Sequence, residues 1–555
     1  MWMLGVNRSH DASITLMKDD EIVLHLQEER LSHSKHCKEV LYLSDIIKNY
    51  TTEIDYAGYT YLHNEVSDFA PYHQLFEKNG IDVKEWHNFA NMHHELHSAC
   101  AFYNSGFDNA VCLVIDGAGS DKPYGKENES IFDINSYSEF NCVYKTCVGF
   151  DEIENPDVPD YVDKKKRIGV GMVYSAVTEY LEWDGLDCGK TMGLSSYGTK
   201  DKKIKPMITS LGGNCEIFGL SDWQDLTMVG AKLRSYEYIS YAKNAEDKER
   251  KRQNLAYKLQ KEFELYILEL VYKAISITGK SNVILTGGCA LNCVSNYRLL
   301  KNLPKHVKLY VEPISDDSGV SMGAVKYLYY KSQSERLIPN YKDFSLDTLY
   351  LGQQINYNYE LKENEIEKDT TPHDVAKLIV DGNIVAICQG RSEAGPRALG
   401  NRSILFDPRV KNGKDIVNTV KKREYFRPFA GTVLLEHASD WFDMDKLKET
   451  PYMMYAVDVL ENKRDLIPAI THVDGTCRIQ TLRKEQNENY YNLIEEFYRL
   501  TEVPILFNTS FNLAGDTIVE TIDDAFKTLR ESQIEYMYLP EIKKLIYVPN
   551  EKNIC

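Results

Sequence analysis

No run of about 18 apolar residues occurs in this 555-residue chain, which excludes an ordinary membrane-spanning helix. A positive charge excess is also missing: 65 Lys and Arg stand against 83 Asp and Glu, a net charge of -18. Affinity for nucleic acid rests on clustered cations that release counterions, so this balance argues against a general nucleic-acid binder. A local basic pocket for a small anion remains compatible with it. The 12 cysteines contain no CxxC pair, and the opening MWMLGVNRSHD has no basic-then-apolar signal region. Reduced thiols and a cytoplasmic location are therefore expected. There is no internal repeat and no low-complexity tract.

At 63.9 kDa the chain exceeds what one hydrophobic core usually supports, so at least two domains are expected. Its 43% hydrophobic and 27% charged residues are ordinary for a folded globular protein, and the 38 tyrosines carry no functional reading. Leu4–Val6, Ala12–Met17 and Ile22–Leu26 read as strands around a polar corner, Asn7 to Asp11, that can face a ligand. Residues 85–103 read as helical, and Ala110–Ile115 as a strand buried on both faces. Apolar residues recur at helical spacing from Leu255 to Leu270, Gly279 supplies a stop, and Val283–Leu285 follows as a strand. Residues 120–165, rich in Asp, Asn, Ser and Pro, read as loops. Periodicity lapses from about Gln333 to Thr348 before a new helix (Asp374–Val380) and strand (Ile384–Ile387), which places a domain boundary there. The alternation of helix and strand implies an α/β fold.

His93 and His97 lie four apart in HHELHSACAFY, so on a helix they share a face and can reach one metal, while His94 points elsewhere. Asp116 at a strand end and Asp317 in the ISDDSG turn are candidate further ligands. Two His with carboxylates and open positions suit iron, manganese or zinc; two surface histidines are the plain alternative. Gly-rich turns at Asp116–Gly119 and Thr286–Asn292 let the backbone approach a phosphate closely, and Gly189-Lys190-Thr191 adds an anion contact without P-loop spacing. Towards the C-terminus, Arg397, Arg402, Lys421, Arg423, Arg427 and Arg478 lie beside Gly and Pro turns. So much basic charge in an acidic chain favours oxyanion contacts over simple solvation, with an ion-pair network as the plain alternative.

The ordered strings SHDAS, EERLSHSKH, HHELHSACAFY, VIDGAG, GKTMGLSSYG, TGGCALNC, SDDSGVSMGA, GPRALGNRS, REYFRPFA, THVDGTCRIQT and NTSFN span nearly the whole chain. Together they resemble the family of nodulation protein U and the cephalosporin and aminoglycoside O-carbamoyltransferases. The resemblance implies an ASKHA (actin/hexokinase-like) duplicated α/β domain over residues 1–345, which carries the metal site and carbamoyl transfer. A YrdC-like α/β domain over residues 346–555 follows, forming carbamoyl-adenylate from Mg-ATP and carbamoyl phosphate. His93, His97, Asp116 and Asp317 would hold a divalent metal, iron favoured, with zinc or manganese as the other choices. His10 would be the base that deprotonates the acceptor hydroxyl, and Asp11 would orient that imidazole or the substrate. In the first domain Lys35, Gly117, Gly119, Lys190, Gly287, Gly288 and Asn292 would contact nucleotide or adenylate. In the second, Arg397, Arg402, Lys421, Arg423, Arg427, Arg478, Asn508 and Ser510 would bind ATP or carbamoyl phosphate.

The chain departs from the family twice: Ala514 stands where an arginine is expected after NTSFN, and Ala394 where an aromatic residue is expected. The first removes one anion contact, with another basic residue favoured as its substitute. The acceptor is a hydroxyl compound of unspecified class, a nucleotide or modified base included, and a homodimer is the default assembly. Two other readings are a tRNA- or nucleotide-(threonyl)carbamoylating enzyme, against which the acidic charge argues, and a lapsed nucleotide-binding protein.

Overall fold

The computed structural model describes residues 1–62, 70–136, 139–148, 158–163, 168–209, 212–213, 233, 237–334 and 346–549. The chain divides into two compact units: Met1–Glu28 with Lys38–Asp347, and Glu29–Cys37 with Thr348–Cys555. Part of the segment read as a boundary, residues 335–345, lies outside the described residues. The fold is mixed α/β. Among the described residues no helix is long and apolar enough to cross a membrane, and no disulfide joins the described cysteines.

Among the described residues the first unit holds two large sheets. One comprises β1 (Trp2–Arg8), β2 (Ser13–Lys18), β3 (Glu21–Gln27), β4 (Glu53–Tyr61) and β5 (Asp82–Asn88) in the order β3-β2-β1-β4-β5. The first three strands pair antiparallel, while β4 and β5 join in parallel. The other is built on β6 (Ala110–Ile115), β7 (Asp121–Lys122), β8 (Gly125–Ser136), β9 (Glu139–Val148), β10 (Val162–Asp163), β13 (Asn282–Thr286) and β14 (Lys308–Val311). Its order is β10-β9-β8-β6-β13-β14, with β7 paired to β8. A minor hairpin pairs β11 (Ile208–Thr209) with β12 (Gly212–Gly213). The succession β9-β8-β6-β13-β14 repeats the first sheet: three antiparallel strands, then two parallel ones.

Two readings of the sequence are corrected. Residues 82–88 form edge strand β5, and the helix begins only at His93. The polar stretch taken as loops contains the long strands β8 and β9, with residues 149–157 and 164–167 outside the described residues. Four of its buried polar residues satisfy one another: Glu127 pairs with Lys145, and Glu129 accepts from Thr146.

Elsewhere local chemistry sets the elements. All six residues of β6 are buried, as an apolar strand covered on both faces requires. The Ala245–Thr278 helix starts at Asn244, whose side chain accepts from Asp247 N, and stops at Gly279 with φ 69°. Helices His93–Ser105 and Gly319–Ser334 cross in direct backbone contact, since a Cβ on Gly323 would sit 2.0 Å from Leu96 O. Leu96, Val320, Ala324, Val325 and Leu328 share one core cluster with Met3. Each of these except Ala324 contributes about 1.5–3 kcal/mol by burial. This crossing sets Asp317, just before the second helix, beside the first turns of the other.

The second unit is built on a nine-stranded sheet ordered β15-β23-β22-β16-β17-β21-β18-β20-β19. Its strands are β15 (Ile366–Asp369), β16 (Val385–Cys388), β17 (Arg402–Phe406), β18 (Ala430–Leu434), β19 (Ala456–Asp458), β20 (Thr476–Leu482), β21 (Ile505–Ser510), β22 (Tyr536–Leu539) and β23 (Lys544–Tyr547). Only β16/β22 and β18/β20 are parallel among these pairs. The helix read from Asp374 runs Pro372–Val380, started by a capping box between Thr371 and Asp374.

Candidate active site

In the first unit, His93 is the first residue of its helix, and its backbone N–H donates to Ser120 Oγ at 3.1 Å. His97 follows one turn later. Their Nε2 atoms lie 3.2 Å apart with the rings edge-on. Asp116, at the end of β6, puts Oδ2 3.2 Å from His93 Nε2 and 3.9 Å from His97 Nε2. Asp317 Oδ1 is 3.5 Å from both. The four side chains are buried, and one ligand atom of each falls within 4.8 Å of all the others.

Donors about 2.0–2.2 Å from a common ion lie roughly 3–3.5 Å apart, so these spacings suit a cation. Two imidazole nitrogens facing each other and two carboxylates form a donor set that a divalent ion satisfies. Burial works against the charge of Asp317, yet His10 and His93 hold it well below the usual carboxylate range. Burial likewise opposes the charge on Asp116, which its bond to His93 still holds low. Burial disfavours the charged form of His93 too, but Asp317, followed by Asp116, pushes it up to about 10.

His10 stands at the edge of this cluster. Its Nε2 is 3.5 Å from Asp317 Oδ2 and its Nδ1 is 3.1 Å from Asp11 Oδ2. Burial opposes its charge, while Asp317, then Asp11, raise it to about 10. Asp11 itself has a left-handed backbone, φ 71°, at the corner between β1 and β2.

The glycine turns serve this centre directly. Gly117 N and Gly288 N both donate to Asp116 Oδ1, at 2.8 and 3.2 Å. Gly287 has φ 85°, and a Cβ there would lie 2.5 Å from Ile115 O. Gly119 packs against the His94 ring, whose Nδ1 meets Ser130 Oγ at 2.7 Å. Lys190 pairs with Asp187 at 2.8 Å. The Asn292 side chain caps the Cys293–Asn302 helix through Ser295 N and forms a reciprocal amide pair with Gln260. Sequence reasoning missed Asn7, whose Nδ2 donates to Asp317 O at 2.8 Å; its place in the polar corner was the available signal.

In the second unit Lys421 is fully buried, and its ammonium donates to Ser510 O, to Asn512 O at 2.8 Å and to Asn512 Oδ1 at 2.9 Å. Burial, followed by Arg423, Arg427 and Lys35, pushes Lys421 well down. Arg423 is lowered to about 9 by burial and by neighbouring Arg427 and Arg478. Arg478 Nε is buried without a hydrogen-bond partner among the described residues. So many cations facing one another form a place for an anion. Ser510 Oγ donates to Asn512 Oδ1 at 2.7 Å, and Asn512 was not foreseen although it closes the NTSFN string. Ala514 is exposed, and its backbone N–H donates to Lys421 O. Ala394 is buried, with its N–H on Leu349 O.

Two expectations are corrected here, and a third residue is placed. Lys35 belongs to the second unit, close enough to Lys421 to act on its charge. Arg402 is fully buried, and its five N–H donors go to the carbonyls of Gln389, Gly390, Asn401 and Glu520, leaving none for a ligand. Asn508 is buried in the sheet, with Nδ2 on Thr432 Oγ1 at 3.0 Å and on Ala398 O at 3.3 Å, and Oδ1 without a partner among the described residues.

Comparison with known proteins agrees across both units. The carbamoyltransferase N-terminus family matches residues 42–326, and the carbamoyltransferase C-terminus family residues 376–544. Nodulation protein NolNO of Sinorhizobium fredii is 30% identical over 95% of this chain and 77% of its own length. The 3'-hydroxymethylcephem-O-carbamoyltransferase of Streptomyces clavuligerus is 32% identical over 46% of each chain. Among solved structures, full-length HypF in its phosphate- and nucleotide-bound form aligns with 59% of this chain and 55% of its own. That match is 13% identical with a TM-score of 0.37, too loose to fix a fold. With both family matches in chain order and a relative similar over nearly its whole length, the chain belongs to the carbamoyltransferase family of enzymes.

Proposed function

We propose that the protein is an ATP-dependent O-carbamoyltransferase working by two half-reactions. In the second unit carbamoyl phosphate gives up its phosphate to water, and the resulting carbamate oxygen displaces pyrophosphate from the α-phosphorus of ATP. Lys35, Arg397, Lys421, Arg423, Arg427 and Arg478 offset the phosphate charges, and Ser510 lies beside Lys421. Arg397 sits on the Gly390–Arg402 loop, and the YrdC-like reading of this unit rests on the motifs. The duplicated strand order of the first unit supports an actin/hexokinase-like reading.

In the first unit the acceptor hydroxyl attacks the carbamoyl carbon, AMP departs, and His10 accepts the hydroxyl proton. Asp11 orients the imidazole through Nδ1. A divalent cation, iron by preference, held by His93, His97, Asp116 and Asp317 would supply positive charge for the adenylate phosphate. His10 must be neutral to act as base, and Asp317, whose charge holds its proton, also belongs to that ligand set.

The observation that carries this reading is the placement of His10 3.5 Å from Asp317, at the edge of a four-donor cluster, in a carbamoyltransferase chain. A net charge of -18 favours a small acceptor over a polyanionic nucleic acid. The test is pyrophosphate release by purified protein with ATP and carbamoyl phosphate, each omitted in turn, followed by acceptor-dependent AMP formation. Release that needs both substrates supports the first half-reaction. No release from folded, metal-loaded protein overturns it and favours a lapsed nucleotide binder.

A further inference from the structure

Arg30 lies in the short Glu29–Cys37 segment, hundreds of residues from the rest of the second unit, and is only 2% exposed. Burying a guanidinium is costly unless it is met by acceptors, so its contacts state its task. Its Nη2 donates to Gly395 O at 2.9 Å and to Glu393 O at 3.3 Å. Its Nη1 faces Glu520 Oε2 at 4.0 Å. Both carbonyls belong to the turn just before Arg397.

The same loop is held from inside by Glu393. One carboxylate oxygen, Oε1, accepts the backbone N–H groups of Leu399, Asn401 and Arg402, at 2.7, 2.8 and 3.2 Å. Glu520 Oε1 accepts from Ser392 Oγ and Gln353 N, at 2.8 and 3.1 Å, fixing the loop's incoming limb. Arg30 and the two carboxylates thus hold the segment Ser392–Arg402 on both sides of Arg397. Five residues beyond Arg30 the same segment carries Lys35, which acts on Lys421.

We propose that Arg30 is a positioning residue for the anion site of the second unit, tying the Lys35-bearing segment to the Arg397-bearing loop so that both cations present together. It touches no ligand itself. This inference rests on the proposed anion-binding role of that unit, and pyrophosphate binding by the full chain reads it without needing turnover.

The experiment titrates inorganic pyrophosphate into wild type, R30Q, R30K, K35A and the double variant R30Q/K35A by calorimetry, with a thermal melt of each. The expected result is an affinity at least tenfold weaker in R30Q and also reduced in R30K. The double variant should be no weaker than the sum of the single losses and measurably less than additive, because Arg30 acts partly through Lys35. A purely structural role would lower the melting temperature and leave this coupling at zero. Should R30Q fail to fold, R30K decides: weakened binding supports the assignment and wild-type affinity overturns it. Wild-type affinity in R30Q, or full additivity, also overturns it. Wild-type protein that binds no pyrophosphate would instead sink the proposed role of the unit.

Discussion

His93 and His97 bring their Nε2 atoms to 3.2 Å, each 3.5 Å from the same oxygen of Asp317. The helix supplies the spacing of the two rings, and a turn more than two hundred residues later supplies the shared oxygen.

The His97→Ala variant is expected to lower bound metal below one ion per chain, measured by elemental analysis after gel filtration. Chelation should also lower the melting temperature of the wild type, since an ion at a thousandfold excess over its Kd stabilises by about 4 kcal/mol. Unchanged metal content in the variant would remove His97 from the ligand set.

Replacing His10 by alanine should separate the half-reactions. Pyrophosphate release is expected to stay at the wild-type rate, while carbamoyl transfer to acceptor falls about 10²- to 10⁴-fold, the usual contribution of a general base. Loss of both activities, or of neither, would break the assignment.

Anion binding in the second unit should take up protons. Burial and the facing cations Arg423, Arg427 and Lys35 hold Lys421 below its ordinary value in the free protein, whereas Ser510 and Asn512 offer it only neutral acceptors. A bound anion opposes those cations and raises it. Affinity is therefore full below the free-state value and is lost as pH rises from there through the higher bound-state value. Inorganic sulfate, whose charge is constant above neutral pH, is the probe. Calorimetry in buffers of different ionisation enthalpy, run as a pH series below the ordinary lysine range, should register proton uptake on binding, and proton release would contradict the sign.

The Lys145→Met variant is expected to destabilise the first unit by about 3–5 kcal/mol, because it leaves the buried Glu127 carboxylate short of its main partner. Lys122, 3.3 Å from Glu127, keeps the loss near the lower end. Glu127 Oε2 also accepts Ser120 N, so the variant should weaken metal binding by loosening the Ser120 cap on His93. Thermal melts and metal titration check both effects, and an unchanged melting temperature would show the pair to be dispensable.

Where local pattern and final environment agree, the chain could be read directly. The β1–β3 hairpins, the wholly apolar β6 and the Gly279 stop follow from periodicity and backbone preference. The His93, His97 pair follows from helix spacing. The strands β8 and β9 were illegible because Glu127, Glu129, Lys145 and Thr146 satisfy one another across the sheet, so a buried ladder carries the composition of a solvated loop. Strand β5 was missed because an exposed edge strand needs no strict alternation of apolar residues.

The sequence by itself determined the family, through motifs in chain order, and much of the alternation of helix and strand, which depends on the pattern of neighbouring residues. Only the tertiary structure decided that Lys35 and Arg30 belong to the second unit, that Arg402 spends every donor on carbonyls, and that Asn7 holds Asp317 in place. Those outcomes depend on which distant groups must satisfy a buried charge, and a buried donor's partner is set by packing rather than by its neighbours in sequence.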